Sequence, residues 1–168
     1  PADVADPPEL VAAIRARRGG SLLNLDRMLL HSAPLARAWN AFLGAVRGEL
    51  GVPAKLRELV VCAVAESNGA EYELHHHAPL LLRAGGTDAQ LAALREGLDP
   101  DRGGPFDETE RAALRLTLEM TRDVAVREST FAAVRQRLGE RGTVELVAIV
   151  AAYNMVSRFL VALEVAPE

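Results

Sequence analysis

Between residues 58 and 77 the sequence gathers the side chains best suited to moving a proton. These are Glu58, Cys62, Tyr72, Glu73 and the run His75, His76, His77, the last five within the stretch "NGAEYELHHH". On a helix, Glu73 shares a face with His76, three residues on, and His77, four residues on, while His75 is rotated away. A carboxylate within helical reach of an imidazole fixes its tautomer and tunes its proton affinity toward neutrality, which is what a general acid–base pair requires. Glu58 stands directly before an apolar run, where a carboxylate needs a partner. That partner is either an arginine such as Arg57, in a structural ion pair, or an imidazole that the carboxylate orients. The candidates for acid–base chemistry are therefore Glu58, Glu73, His76 and His77.

The same residues admit a metal reading, with Glu73, His76 and His77 as ligands and Glu58 as a conceivable fourth. A di-iron bundle needs a second matching Glu-x-x-His motif, which the sequence lacks, so no metal and no other cofactor is expected. His76, Tyr72 and Cys62 are candidates for substrate contact. Cys62 also reads as a small core residue, because Val61, Ala63 and Val64 offer nothing to stabilise a thiolate. Asn154 and Arg158 are possible polar lining.

A chain of 168 residues, 49% apolar, is long enough for one domain with its own core, and a single domain over 1–168 is expected. A net charge of −4 with arginines and acids interspersed leaves no basic patch for a phosphate backbone, so nucleic acid is an unexpected partner. The single cysteine excludes an internal disulfide and any chemistry that needs a thiol pair within the chain. No leader-like pattern and no uninterrupted apolar run of ~18 residues is present, so a cytoplasmic protein without membrane contact is expected.

Aromatics make up only 4%, while Ala, Leu, Arg and Glu dominate, which predicts an all-α fold. "PPELVAAIRARRGG" reads as a helix with prolines in its opening turn and a Gly19-Gly20 stop. A short helix follows in "NLDRMLLHS", then one opened by Pro34 and stopped by Gly51. Pro53 starts a helix that is apolar all round from Leu59 to Ala65, the mark of a buried helix. Asn68-Gly69 breaks the chain before the histidine helix, which Gly85-Gly86 ends and in which Pro79 predicts a kink. Thr87 and Asp107 cap the next two helices on either side of a loop, "LDPDRGGPF". Two helices close the chain, "ESTFAAVRQRLG" and the apolar "TVELVAIVAAYNMVSRFLVAL". The likeness of Glu58-Leu-Val-Val to Glu145-Leu-Val-Ala hints at a duplicated unit. The last helix carries more apolar surface than one small bundle covers, which predicts self-association.

The stretch "KLRELVVCAVAESNGAEYELHHHAPLLLRAG", within a core motif at 53–86, resembles the signature of the carboxymuconolactone decarboxylase and alkylhydroperoxidase D-like superfamily. A looser likeness runs from "HSAPLARAWNAF" to "YNMVSRFLVAL". The resemblance implies a compact multi-helix unit that assembles into trimers or hexamers, with active sites close to subunit contacts. In the peroxidase branch a Glu is followed after eleven residues by Cys, after two by a second Cys, and after three by His. Those places fall here on Glu58, Ala70, Glu73 and His77. Both thiols are absent and both proton-handling residues remain, so thiol peroxidase chemistry is not expected.

What remains is similar to the cysteine-free branch, which includes lactone decarboxylases and proteins with a "YEW-x-HH" pattern, in which Leu74 here replaces the Trp. The resemblance implies a lyase (decarboxylase) or isomerase acting on a small carboxylated or enolisable organic molecule. His77 would carry the proton, Glu58 would orient it, and Glu73 would serve as a second acid–base group. A metal-dependent enzyme and a non-catalytic, ligand-binding helical oligomer are the alternatives.

Overall fold

The computed structural model describes residues 6–100, 102 and 104–168. Positions 101 and 103 of the expected loop lie outside the described residues. Among those described there are eight helices and no strand, as the composition predicts. They are α1 (Pro8–Arg18), α2 (Asn24–Leu29), α3 (Ala33–Gly48), α4 (Ala54–Asn68), α5 (Glu71–Arg83), α6 (Asp88–Arg95), α7 (Glu108–Arg122) and α8 (Glu128–Ala162). By its internal contacts the chain divides into two compact units, the described part of Pro1–Leu50 with Leu163–Glu168, and Gly51–Ala162.

In the first unit α3 packs on α1 and α2. Inward-facing residues recur at helical spacing, Leu10, Val11 and Ile14 on α1 and Ala36, Trp39 and Leu43 on α3. Gly19 ends α1 in the left-handed region, where a side chain would be strained. α3 stops at Gly48, short of the expected Gly51.

The second unit is built around α4, which packs against α5, α6, α7 and α8. Every residue from Glu58 to Ala65 is buried, so this helix has no solvent face through its middle. Each Leu or Val so enclosed contributes about 1.5–3 kcal/mol of transfer free energy, which makes α4 the element the others are assembled on. Gly69 caps α4 at φ +63°, and the Ala70 N–H bonds back to the Ala65 carbonyl at 2.9 Å, turning the chain at once into α5.

α5 runs through Pro79 as one helix, without the expected irregularity. Pro79 and His75 are both exposed, so solvent can take the carbonyl that the proline leaves without a donor. Thr87 and Asp107 cap α6 and α7 as read from sequence, and Gln90 and Glu110 make each cap reciprocal.

α8 comprises the two closing helices read from sequence, which meet at Gly139, where φ +69° and ψ 179° lie outside helical geometry. Its second arm buries Leu146, Ile149, Val150, Tyr153, Val156 and Leu160, and α8 packs on α4 and α7. Counting uninterrupted apolar runs passes over this helix, yet among the described residues it is the one long and apolar enough to cross a membrane. Of its most apolar stretch, 44% is buried against the chain itself.

Candidate active site

Glu58 projects from the second turn of α4, and Glu73 and His77 from successive turns of α5, which lies along it. His77 Nδ1 stands 2.6 Å from Glu58 Oε2, and His77 Nε2 stands 3.4 Å from Glu73 Oε2. The structure thus brings together Glu58, Glu73 and His77, the three residues to which the resemblance gives catalytic roles. All are buried, with Glu58 5%, Glu73 2% and His77 4% exposed. Arg57 Nε donates to Glu58 Oε1 at 3.1 Å. Glu58 therefore takes both partners that its sequence context left open, the guanidinium on one oxygen and the imidazole on the other. Tyr153 of α8 meets the His77 ring edge-on, with centroids 5.1 Å apart at 87°. Such aromatic pairs add about 0.5–1.5 kcal/mol beyond area burial and restrict the tilt of the imidazole.

Burial pushes the Glu58 carboxyl up, but the hydrogen bond and charge of His77, and then those of Arg57, outweigh it and hold the group below the usual carboxylate range. An ionised Glu58 at 2.6 Å can only accept, so the shared proton belongs on Nδ1, and Nε2 becomes the atom available for proton transfer. Nε2 faces Glu73 Oε2, a buried carboxylate oxygen with no hydrogen-bond partner among the described residues. At 3.4 Å the two are in electrostatic contact but beyond a good hydrogen bond. Glu73 lies in the first turn of α5, where the helix dipole favours negative charge.

The other sequence candidates fall differently. The Tyr72 and His76 rings meet at a tilt of 50° with centroids 4.6 Å apart, and His76 meets His75 edge-on. Among the described residues no three His, Cys, Asp or Glu side chains converge as a metal would require, so the alternative set Glu73, His76 and His77 is not gathered. Cys62 is fully buried within an apolar cluster that includes Leu59, Leu81, Leu91, Phe106 and Leu114, where it fills space. Burial, followed by the charges of Glu58, Glu66 and Glu73, pushes its thiol up to about 12, with Arg95 acting in the opposite sense. It is no candidate thiolate.

Asn154 is held by polar neighbours, accepting from Asn68 at 3.1 Å and Arg158 at 2.5 Å and donating to Thr121 at 2.9 Å. Glu145, the apparent counterpart of Glu58, accepts from the Gly51 N–H and from Arg141, both at 2.7 Å, and pins the lead-in to α4. A cavity of about 130 Å³ opens near the far end of α4, among Glu66, Ser67, Arg95 and Arg122, and contains none of the three site residues. Tyr153 is the site neighbour that sequence reading misses, because no local spacing connects α8 to α5.

Fold and site together define an all-helical protein with a buried carboxylate–imidazole–carboxylate row carried on one helical hairpin. Residues 33–119, just over half the chain, match the model of the carboxymuconolactone decarboxylase family, and the chain belongs to that family. Among solved structures, an uncharacterized peroxidase-related protein from Silicibacter sp. TM1040 is 20% identical with a TM-score of 0.83, over 100% of this chain and 89% of that one. A second peroxidase-related protein, described as an alkylhydroperoxidase AhpD core, from Ralstonia eutropha JMP134, is 19% identical with a TM-score of 0.83, over 100% and 90%. The debrominase Bmp8, as a cysteine-to-alanine variant in complex with 2,3,4-tribromopyrrole, is 20% identical with a TM-score of 0.82, over 100% and 90%. At these identities the likeness shows the alkylhydroperoxidase D-like fold alone. No curated protein matches the sequence significantly.

Proposed function

We propose that this chain is a cofactor-free acid–base enzyme, a lyase or isomerase acting on a small carboxylated or enolisable organic molecule. The observation that carries this reading is the 2.6 Å contact between Glu58 and His77 Nδ1 in a site closed to bulk water. Held this way, His77 Nε2 takes a proton from a carbon next to a carbonyl, while Glu58 stabilises the imidazolium that forms. The proton then returns to a different carbon, from Nε2 or by way of Glu73, which completes an isomerisation. In the lyase variant no carbon-bound proton is removed: the substrate carboxylate leaves as carbon dioxide, and His77, protonated beforehand from solvent, donates from Nε2 to the carbanion that remains. Glu58 is a positioning residue here, and His77 and Glu73 touch the substrate.

Thiol peroxidase chemistry is not part of the proposal, because the one cysteine is a core residue held as the thiol. The family name, with its decarboxylase, and the debrominase among the structural neighbours agree with varied chemistry on this fold. The working form is a cytoplasmic homo-oligomer, trimer or hexamer, supported by apolar side chains that α8 leaves exposed, among them Val144 and Met155. Light scattering of the purified chain reads its mass directly.

The test of chemistry is a screen of enolisable and decarboxylatable compounds for exchange or loss of a carbon-bound proton, repeated with Glu58→Gln and His77→Ala. Turnover falling by about 10²-fold or more in folded variants supports the reading. A second reading, a ligand-binding protein without catalysis, is favoured by the internal pairing and burial of all three side chains. It gains ground if both variants unfold and no compound exchanges a proton.

A further inference from the structure

The charge balance around His77 limits what kind of molecule can be bound there. The ionisable groups in direct contact are Glu58 and Arg57 of α4 and Glu73 and His77 of α5. With a neutral imidazole they sum to one net negative charge, and with an imidazolium to zero. Neither state offers net attraction to an anion. Two carboxylates also occupy the imidazole's two nitrogens, so an incoming third carboxylate meets like charge on whichever side it approaches. Beyond this shell Glu66 is paired with Arg95 at 3.5 Å, so the pair leaves the net balance unchanged. The thiol of Cys62, one turn along α4 from Glu58, senses the same field: after burial, its largest influences are Glu58, Glu66 and Glu73.

Glu73 adds a positive requirement. Its Oε2 is buried and lacks a hydrogen-bond partner among the described residues, and such a group is costly unless something donates to it. The 3.4 Å separation from Nε2 leaves no room for a ligand atom between them. A ligand must therefore part Glu73 from His77, and an N–H or O–H donated to Oε2 offsets the cost of drawing the carboxylate away from the imidazole.

The geometry points to a site that excludes carboxylates and takes an uncharged or cationic organic molecule bearing an N–H or O–H donor for Glu73, with its acidic proton turned toward His77 Nε2. This rests on the acid–base reading above and selects the uncharged, enolisable branch over the carboxylated one.

Acetate, acetamide and acetamidine are nearly isosteric and differ in charge, which makes them suitable probes. The experiment titrates each into the full chain labelled at histidine, follows the His77 ring signals by NMR with His77→Gln for assignment, and repeats the series with Glu73→Gln. Acetamide and acetamidinium should shift His77 at concentrations at least about tenfold below any at which acetate does, and Glu73→Gln should narrow that gap. Acetate acting as well as acetamide, or an unchanged gap in Glu73→Gln, overturns the inference while leaving the acid–base reading in place. Silence from every probe in both proteins also overturns the inference, while the acid–base reading stands or falls on the proton-exchange screen.

Discussion

Glu58 Oε2 and His77 Nδ1 lie 2.6 Å apart although nineteen residues separate them, because α4 and α5 pack along one another after a two-residue turn. Both groups are removed from water, so the energy of the pair depends strongly on each partner being present.

Removing either partner should cost about 3–5 kcal/mol for Glu58→Ala, and somewhat less for Glu58→Gln, which keeps one oxygen. The double variant Glu58→Gln/His77→Gln should be more stable than the sum of the two single losses implies, with a coupling of about 1–3 kcal/mol. Urea unfolding of the four proteins measures this. Strict additivity would show that the contact carries no coupling energy.

The depressed Glu58 sets the sign of the acid limb. A carboxyl with a folded value below its ordinary 4.5 contributes stability that is fully present above that value and is lost as pH falls through the folded one. Below about pH 4.5 the wild type should lose stability with a steeper slope than Glu58→Gln, as read from unfolding midpoints at stepped pH. Parallel slopes would remove Glu58 from the account.

Cys62 predicts an alkaline limb of opposite sign. Its thiol ionises at about 12 in the fold against an ordinary 9.0, so its contribution is intact below 9.0 and declines as pH rises from there toward 12. Cys62→Ala should flatten the stability profile above about pH 9, at the cost of a small cavity at lower pH. In the native wild type, thiol reagents should react only as fast as the protein opens, and rapid labelling at neutral pH would contradict the burial.

Gly86 tests the packing behind the site. A Cβ there would meet Leu81 Cγ at 2.5 Å, Cδ1 at 2.6 Å and the Leu81 carbonyl oxygen at 2.8 Å. Leu81 is wholly buried beside Leu59 and Cys62, and a backbone oxygen cannot give way. Gly86→Ala should lower stability by about 1–3 kcal/mol, visible as a shifted denaturation midpoint.

Much of this arrangement was legible because it is local. The Glu73–His77 pairing follows from four-residue spacing, the caps at Thr87 and Asp107 from their residue types at helix starts, and the burial of α4 from its lack of a polar face. The meeting of Glu58 with His77 was legible only through its place in a recurrent motif, since no helical period spans the turn. Tyr153 was out of reach, because its position against His77 depends on how α8 packs. Whether Glu58 would take Arg57 or His77 was equally undecidable from sequence, and the answer is one on each oxygen. The break at Gly139 was visible as a helix stop, and the backbone leaves helical geometry at that residue.

The turn between α4 and α5 consists of Gly69 and Ala70 alone, and its brevity determines which way α5 is rotated. One residue added there would swing every α5 side chain by about 100°, carrying the imidazole off its carboxylate while both helices stayed intact. Chain length at this single joint is thus a form of encoded information. An insertion or deletion here would disarm the protein more thoroughly than most substitutions, without leaving a mark on its helicity.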